Sequence, residues 1–226
     1  MSARRHGGFT LLELIVVVVI LGITAAYAVP SWRQIQQDSQ LKGAARTVAN
    51  AFQFARTQAI VTERIHLVYF GMGPGTDACG NPLQDPAGNP VPVLILDDGA
   101  LGSANQNCCI DAGETIVTER AVGGVFWGTS YAGGAVADDA GLGDFTTGSS
   151  LADAFGVQTQ WVAFRADGVP VGVTAACVLG QTGSGRGGIY LTNAPPFQNR
   201  DYAVLLSPLG GTKIYAWDRV AGAWTN

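Results

Sequence analysis

Few side chains in this 226-residue chain have the types and spacing to do chemistry. Four cysteines occur, Cys79, Cys108, Cys109 and Cys177, but none forms the CxxC pair a structural zinc site favours. Asp97, Asp98, Asp111 and Glu114 could offer oxygen ligands to a hard cation such as calcium, yet their spacing fits no EF-hand loop and they are weak metal candidates. His66 opens an apolar run and has no second histidine downstream, so a Ser-His-Asp arrangement lacks support and no catalytic residue is expected. The string Gly183-Ser184-Gly185-Arg186-Gly187-Gly188 lacks the lysine and spacing of a phosphate loop and reads as a hairpin. One residue stands apart. Glu13 lies inside an otherwise apolar stretch, where a carboxylate at membrane depth costs about 2.5–3.5 kcal/mol on insertion scales. Something must compensate it.

The elements that would position these groups follow from the patterning. Residues 1–8 form a short basic leader with Arg4, Arg5 and His6, and residues 9–30 form the apolar stretch. About 20 apolar residues cross a bilayer as a helix, whereas a secretory signal has an apolar region of about 7–15. The stretch has the longer length, and Ala25-Ala26-Tyr27-Ala28 is a mediocre cleavage site, so a membrane helix is the better reading. Beyond Pro30, Leu41, Ala45, Val48, Phe52, Ala55 and Ala59 recur at alternating spacings of four and three, a narrow apolar stripe on one helical face. Arg46, Gln53, Arg56 and Glu63 fall on other faces. One long helix over residues 9–64 is expected, flexed near Gly22 and Pro30.

From residue 65 the period shortens, and residues 65–70, 91–96, 115–122, 160–165, 188–192, 202–207 and 212–217 read as short strands bounded by glycine, proline or asparagine. The loops over residues 71–90 and 131–154 read as surface insertions, and no internal repeat is evident. The organisation is therefore a leader (1–8), a hydrophobic helix (9–30), its amphipathic continuation (31–64) and a β-rich head (65–226). From residue 66 onward there are six basic and fourteen acidic residues, a net charge of −8. An acidic head repels nucleic acid and anionic membrane surfaces. An exported head also puts its even set of cysteines in an oxidising compartment. A bridge between the adjacent Cys108 and Cys109 would be strained, so each is expected to bond separately to Cys79 or Cys177, in an order left open.

The string Gly8-Phe9-Thr10-Leu11-Leu12-Glu13-Leu14 resembles the processing site of class III signal peptides in the type IV pilin and type II secretion pseudopilin superfamily. The motif has glycine before the cut, phenylalanine after it, and glutamate as the fifth residue of the mature chain. The resemblance implies that a prepilin peptidase cuts between Gly8 and Phe9 and N-methylates Phe9. Gly22 and Pro30 fall where many pilins have a helix-loosening glycine and proline. The head more loosely resembles the GspH/FimT minor pilins and pseudopilins. That likeness rests on Ala55-Arg56-Thr57-Gln58-Ala59-Ile60, on Val93-Leu94-Ile95-Leu96-Asp97-Asp98, on Phe164-Arg165-Ala166-Asp167-Gly168 and on Gly210-Gly211-Thr212.

These resemblances imply an α+β, pilin-like fold: a long N-terminal helix on a β-rich head. They imply a structural subunit with no cofactor, inserted in the inner membrane as a single-pass precursor with a periplasmic head. Its partners would be other pilins or pseudopilins, the peptidase and the assembly platform. After cleavage the amine of Phe9 sits at a helix N-terminus with Glu13 one turn along, where an anion is favoured. In a fibre the same carboxylate could pair with the amine of a neighbouring subunit. Breaking such a buried pair strands a charge at about 3–5 kcal/mol, so Glu13 would set register. Some relatives bind DNA through arginines near the end of the head. Here the matching strand offers Lys213 and, farther on, Arg219, too sparse for clustered phosphate contacts, so a nucleic-acid partner is not expected. Pilus and secretion system are not separable at this level.

Overall fold

A computed structural model of the chain describes residues 10–73, 75–119, 125–193 and 200–226. The expected processing residues Gly8 and Phe9 lie outside the described residues. One long α-helix, α1, spans Leu11–Thr62. Thr10 starts it: with extended backbone (φ −78°, ψ 151°), its side-chain oxygen accepts from the Glu13 amide at 3.3 Å, satisfying an N–H the helix cannot. α1 continues unbroken past Gly22 and position 30, and it stops where Glu63 turns left-handed at φ 56°. The expected end at residue 64 is thus two residues long.

Among the described residues ten strands follow, all paired antiparallel in two five-stranded sheets. They are β1 (His66–Phe70), β2 (Val93–Asp97), β3 (Ile116–Glu119), β4 (Val125–Trp127), β5 (Trp161–Phe164), β6 (Pro170–Val171), β7 (Gly187–Asn193), β8 (Asp201–Leu206), β9 (Thr212–Asp218) and β10 (Ala223–Thr225). The first sheet runs β3-β2-β1-β5-β6 and the second β10-β9-β8-β7-β4. Sequence patterning anticipates β1, β2, β3, β5, β7, β8 and β9, and misses β4, β6 and β10, each only two or three residues long.

Side chains alternate across both sheets as a period of two demands. Val68, Phe70, Val93, Ile95, Val162 and Phe164 from the first sheet, with Ile189, Leu191, Val204 and Leu206 from the second, close on the second half of α1. All six residues of the predicted stripe are buried there, joined by Ala44, Ala49 and Ala51. Phe52 is central, its ring 5.5 Å from Phe70 edge-on and 6.4 Å from Phe164. Alanines along the stripe let the sheets approach the helix backbone. Polar ties fix its height: Gln53 donates to Thr212 Oγ1 at 3.0 Å and Arg56 to the Gly210 carbonyl at 3.2 Å. Gly210 has φ 80°, and a Cβ there would lie 2.9 Å from the Gly168 carbonyl and 3.1 Å from Arg56 Nε.

The segment over residues 71–90 is more than a surface insertion. Leu83 and Val91 bury against Tyr69, Leu94 and Leu96 on the outer face of the first sheet. It also contains a short repeat that composition conceals. In Asp77-Ala78-Cys79-Gly80-Asn81 and Asp85-Pro86-Ala87-Gly88-Asn89 the leading carboxylate accepts from the amides two and four residues on. The residue at the fourth place has positive φ and donates to the leading carbonyl. Asp153 to Val157 forms the same turn, and Thr174 to Val178 a hydroxyl version with Cys177 in the positive-φ place. Four copies of one side-chain-locked turn occur among the described residues, two of them inside the expected loop over residues 71–90, each narrowed by a bridge such as Thr76–Pro82 or Val173–Leu179.

Two disulfides complete this face: Cys79–Cys109 and Cys108–Cys177, with Cα separations of 5.5 and 5.4 Å. The adjacent cysteines diverge because Cys108 has φ 59°, which turns successive side chains apart.

Candidate assembly helix

Among the described residues the first half of α1 has no packing partner. Leu11 is 78% exposed and Val17 still 48%, and every large apolar side chain from Leu11 to Val29 is exposed on all sides of the helix. A helix apolar all round must be buried by something else. It is long and apolar enough to cross a membrane, and at 1.5 Å per residue it covers roughly 28 Å, close to a hydrocarbon core. Its aliphatic hydroxyls bond back to the helix. Thr24 Oγ1 donates to the carbonyls of Ile20 and Leu21, both at 3.0 Å, and Ser31 Oγ to the Tyr27 carbonyl at 3.1 Å. Such back-bonding satisfies these two donors in an apolar surrounding.

Glu13 is the single charge in this half-helix, exposed in its first turn beside the Thr10 cap. Nothing else in the chain approaches it with a positive charge among the described residues. The geometry therefore presents a carboxylate at the positive end of a helix dipole, on an apolar rod, with its compensation still to come.

The other sequence candidates separate. Asp97 Oδ2 meets Arg64 at 3.2 Å and its Oδ1 accepts from the Gly99 amide at 3.1 Å. Asp98 is fully buried and accepts from the amides of Cys108 at 2.8 Å and Asn107 at 3.3 Å. Asp111 accepts from Asn107 Nδ2 at 2.7 Å, and Glu114 from the Asp111 amide at 2.9 Å. The four acids are not brought together as a ligand set. The metal-type grouping among the described residues is instead Asp98 with Cys108 and Cys177, within 4.8 Å of one another. Those sulfurs are bonded to each other, and a disulfide lacks the thiolate that binds metal. Burial pushes the Asp98 carboxyl up to about 7, against the two amide bonds that favour its anion.

His66 is buried at the start of β1, its imidazole held below the usual range chiefly by desolvation, with no hydrogen-bond partner on Nδ1 among the described residues. Lys213 Nζ lies 3.3 Å from Asp138, and the Arg219 guanidinium sits 4.3 Å from the centroid of the Tyr131 ring. Each cation already has a neighbour, and the two are not clustered into a phosphate-binding patch.

Residues 3–29 match the family model described as the prokaryotic N-terminal methylation motif. Over 104 residues, 45% of the chain, it is 33% identical to the Type II secretion system core protein G of Pseudomonas aeruginosa. The chain spans 66% of that protein's length, just under two thirds. No solved structure matches.

Proposed function

We propose that this chain, which belongs to the type IV pilin and type II secretion pseudopilin superfamily, is a non-enzymatic fibre subunit whose exposed half-helix is buried by its neighbours on assembly. The observation that carries this is the apolar first half of α1, exposed on every side and holding one acid, Glu13, beside its cap. Before assembly the bilayer covers that surface, with the head in the periplasm; afterwards the same residues of other subunits do. Residues 1–8 are the leader. Cleavage between Gly8 and Phe9 by prepilin peptidase, and methylation of Phe9, create the amine that Glu13 of an adjacent subunit meets. Gly22 and Pro30 let the rod adjust as it leaves the membrane, because glycine costs about 1 kcal/mol of helix propensity and proline removes a backbone donor.

Two machines use such subunits. A minor pilin acting at the tip or in starting a type IV pilus is the reading drawn from the head motifs. The relative named for type II secretion favours the pseudopilus of a secretion system. DNA uptake is the weaker reading because Lys213 and Arg219 are separated and engaged.

Substitution of Gly8 by phenylalanine tests the processing step, since a side chain blocks the close backbone approach a peptidase needs. The variant should accumulate in membranes as full-length precursor on immunoblots. Mature-sized protein from it would contradict the cleavage assignment.

A further inference from the structure

The outer face of the second sheet carries a cleft of about 670 Å³ unconnected with the half-helix. One wall is aromatic. Tyr215 and Trp217 alternate outward along β9, and Trp224 of β10 lies directly opposite Trp217, their rings 5.4 Å apart edge-to-face. Both tryptophans are only partly buried. The facing wall is the segment over residues 131–138, which includes Gly133, Gly134, Ala135 and Ala137.

That wall is fixed before any ligand arrives. The buried Asp201 carboxylate collects the amides of Ser130, Tyr131 and Ala132 at 2.7–3.1 Å. The Tyr190 hydroxyl accepts from the Val136 amide at 3.2 Å, and Trp224 Nε1 donates to the Gly134 carbonyl at 2.9 Å. At one end stands a polar group. Asp138 Oδ2 accepts from Tyr215 at 2.7 Å and from Lys213 at 3.3 Å, leaving Oδ1 open. The Tyr215 hydroxyl, then Lys213, hold this carboxyl below its usual range.

We infer that this cleft binds a neutral saccharide, stacked on Trp217 and hydrogen-bonded through its hydroxyls to Asp138 and the glycine-rich wall. Three features select that class. Aromatic faces are electron-rich and take the C–H face of a pyranose ring. A carboxylate and phenols, from Asp138, Tyr131 and Tyr215, suit hydroxyls that both donate and accept. The one carboxylate lining the cleft is already paired: Lys213, outside the lining, holds Asp138 at 3.3 Å, so a cationic ligand gains little there, and an anionic one would meet Asp138 on an acidic head.

The full chain in polyoxyethylene-ether micelles, which carry no sugar headgroup, should be titrated with cellohexaose and chitohexaose by calorimetry and tryptophan fluorescence. At least one should bind saturably with a dissociation constant of about 0.1–1 mM. Trp217→Ala should weaken it at least about tenfold, as loss of a central aromatic anchor does, with Trp217→Phe retaining most of the affinity. Asp138→Asn should weaken it too. Should Trp217→Ala not fold, saturation-transfer NMR on the wild type decides, since ring C–H protons against the indoles must receive magnetisation. No binding of either sugar by about 10 mM would overturn the inference. So would unaltered binding by a folded Trp217→Ala, absence of saturation transfer, or capture of tetramethylammonium at the cleft instead.

Discussion

Buried carboxylates do opposite work at two places in this head. Asp201 is answered by three backbone amides and simply holds a loop. Asp98 has two amides but is enclosed beside a disulfide, with Glu114 and Asp111 adding like charge, and burial wins. Its folded value of about 7 exceeds the ordinary 3.8, so the native state binds more protons than the unfolded chain between those values. Stability must then fall as pH rises through about 4 to 7. His66 runs the other way: its value is lowered, so its contribution is lost as pH falls through its ordinary 6.5. The difference between wild type and Asp98→Asn isolates the first effect. Melting temperatures measured from pH 4.5 to 8 should show the variant gaining on the wild type as pH rises, and parallel curves would contradict the assignment. Nothing in the sequence separates Asp98 from Asp97 beside it. The strand end leaves Asp97 half-buried and encloses Asp98 fully, a distinction only the covering loop creates.

At the scale of elements, legibility tracked length and period. The stripe from Leu41 to Ala59 is regular over five turns, and every predicted residue of it is buried. β4, β6 and β10 are too short for alternation to register; β6 opens on Pro170 and β4 exposes Phe126. The Asp-x-x-Gly-Asn turns read as loop because their order comes from side-chain-to-backbone bonds, not hydrophobic period. The aromatic cleft was missed for a related reason. Tyr131, Tyr215, Trp217 and Trp224 are scattered in sequence, and the hint was two tryptophans flanking the turn begun by Asp218. The disulfides tie these turns to the first sheet, and they are unequal. Cys108–Cys177 encloses 69 residues and its Cys108 is fully buried; Cys79–Cys109 encloses 30. Removing a native bridge typically costs about 2–5 kcal/mol, more for the longer loop in the chain-entropy view. Alanine at both Cys108 and Cys177 should therefore lower the melting temperature more than alanine at both Cys79 and Cys109. Equal losses, read by circular dichroism, would show that neither loop length nor burial sets the difference.

The whole molecule divides its duties along one helix. The second half of α1 is the centre of the head, gripped by both sheets through Phe52 and its alanines. The first half is a rod that the head leaves bare. Helix packing within the head uses one face, so the head cannot also satisfy a segment apolar all round. Association must. A bare apolar rod would associate in any register, since apolar burial is non-directional. In the proposed fibre, a single acid near its start would penalise all but the arrangement that supplies a counter-charge, because a mismatched neighbour would strand a charge at about 3–5 kcal/mol. The most direct measurement of that claim compares Glu13→Ala and Glu13→Gln with wild type for processing, membrane insertion and recovery in sheared fibres. Both variants should be cleaved and inserted normally, while their incorporation falls at least about tenfold against wild type. Wild-type incorporation by either processed variant would contradict a register-setting role for Glu13.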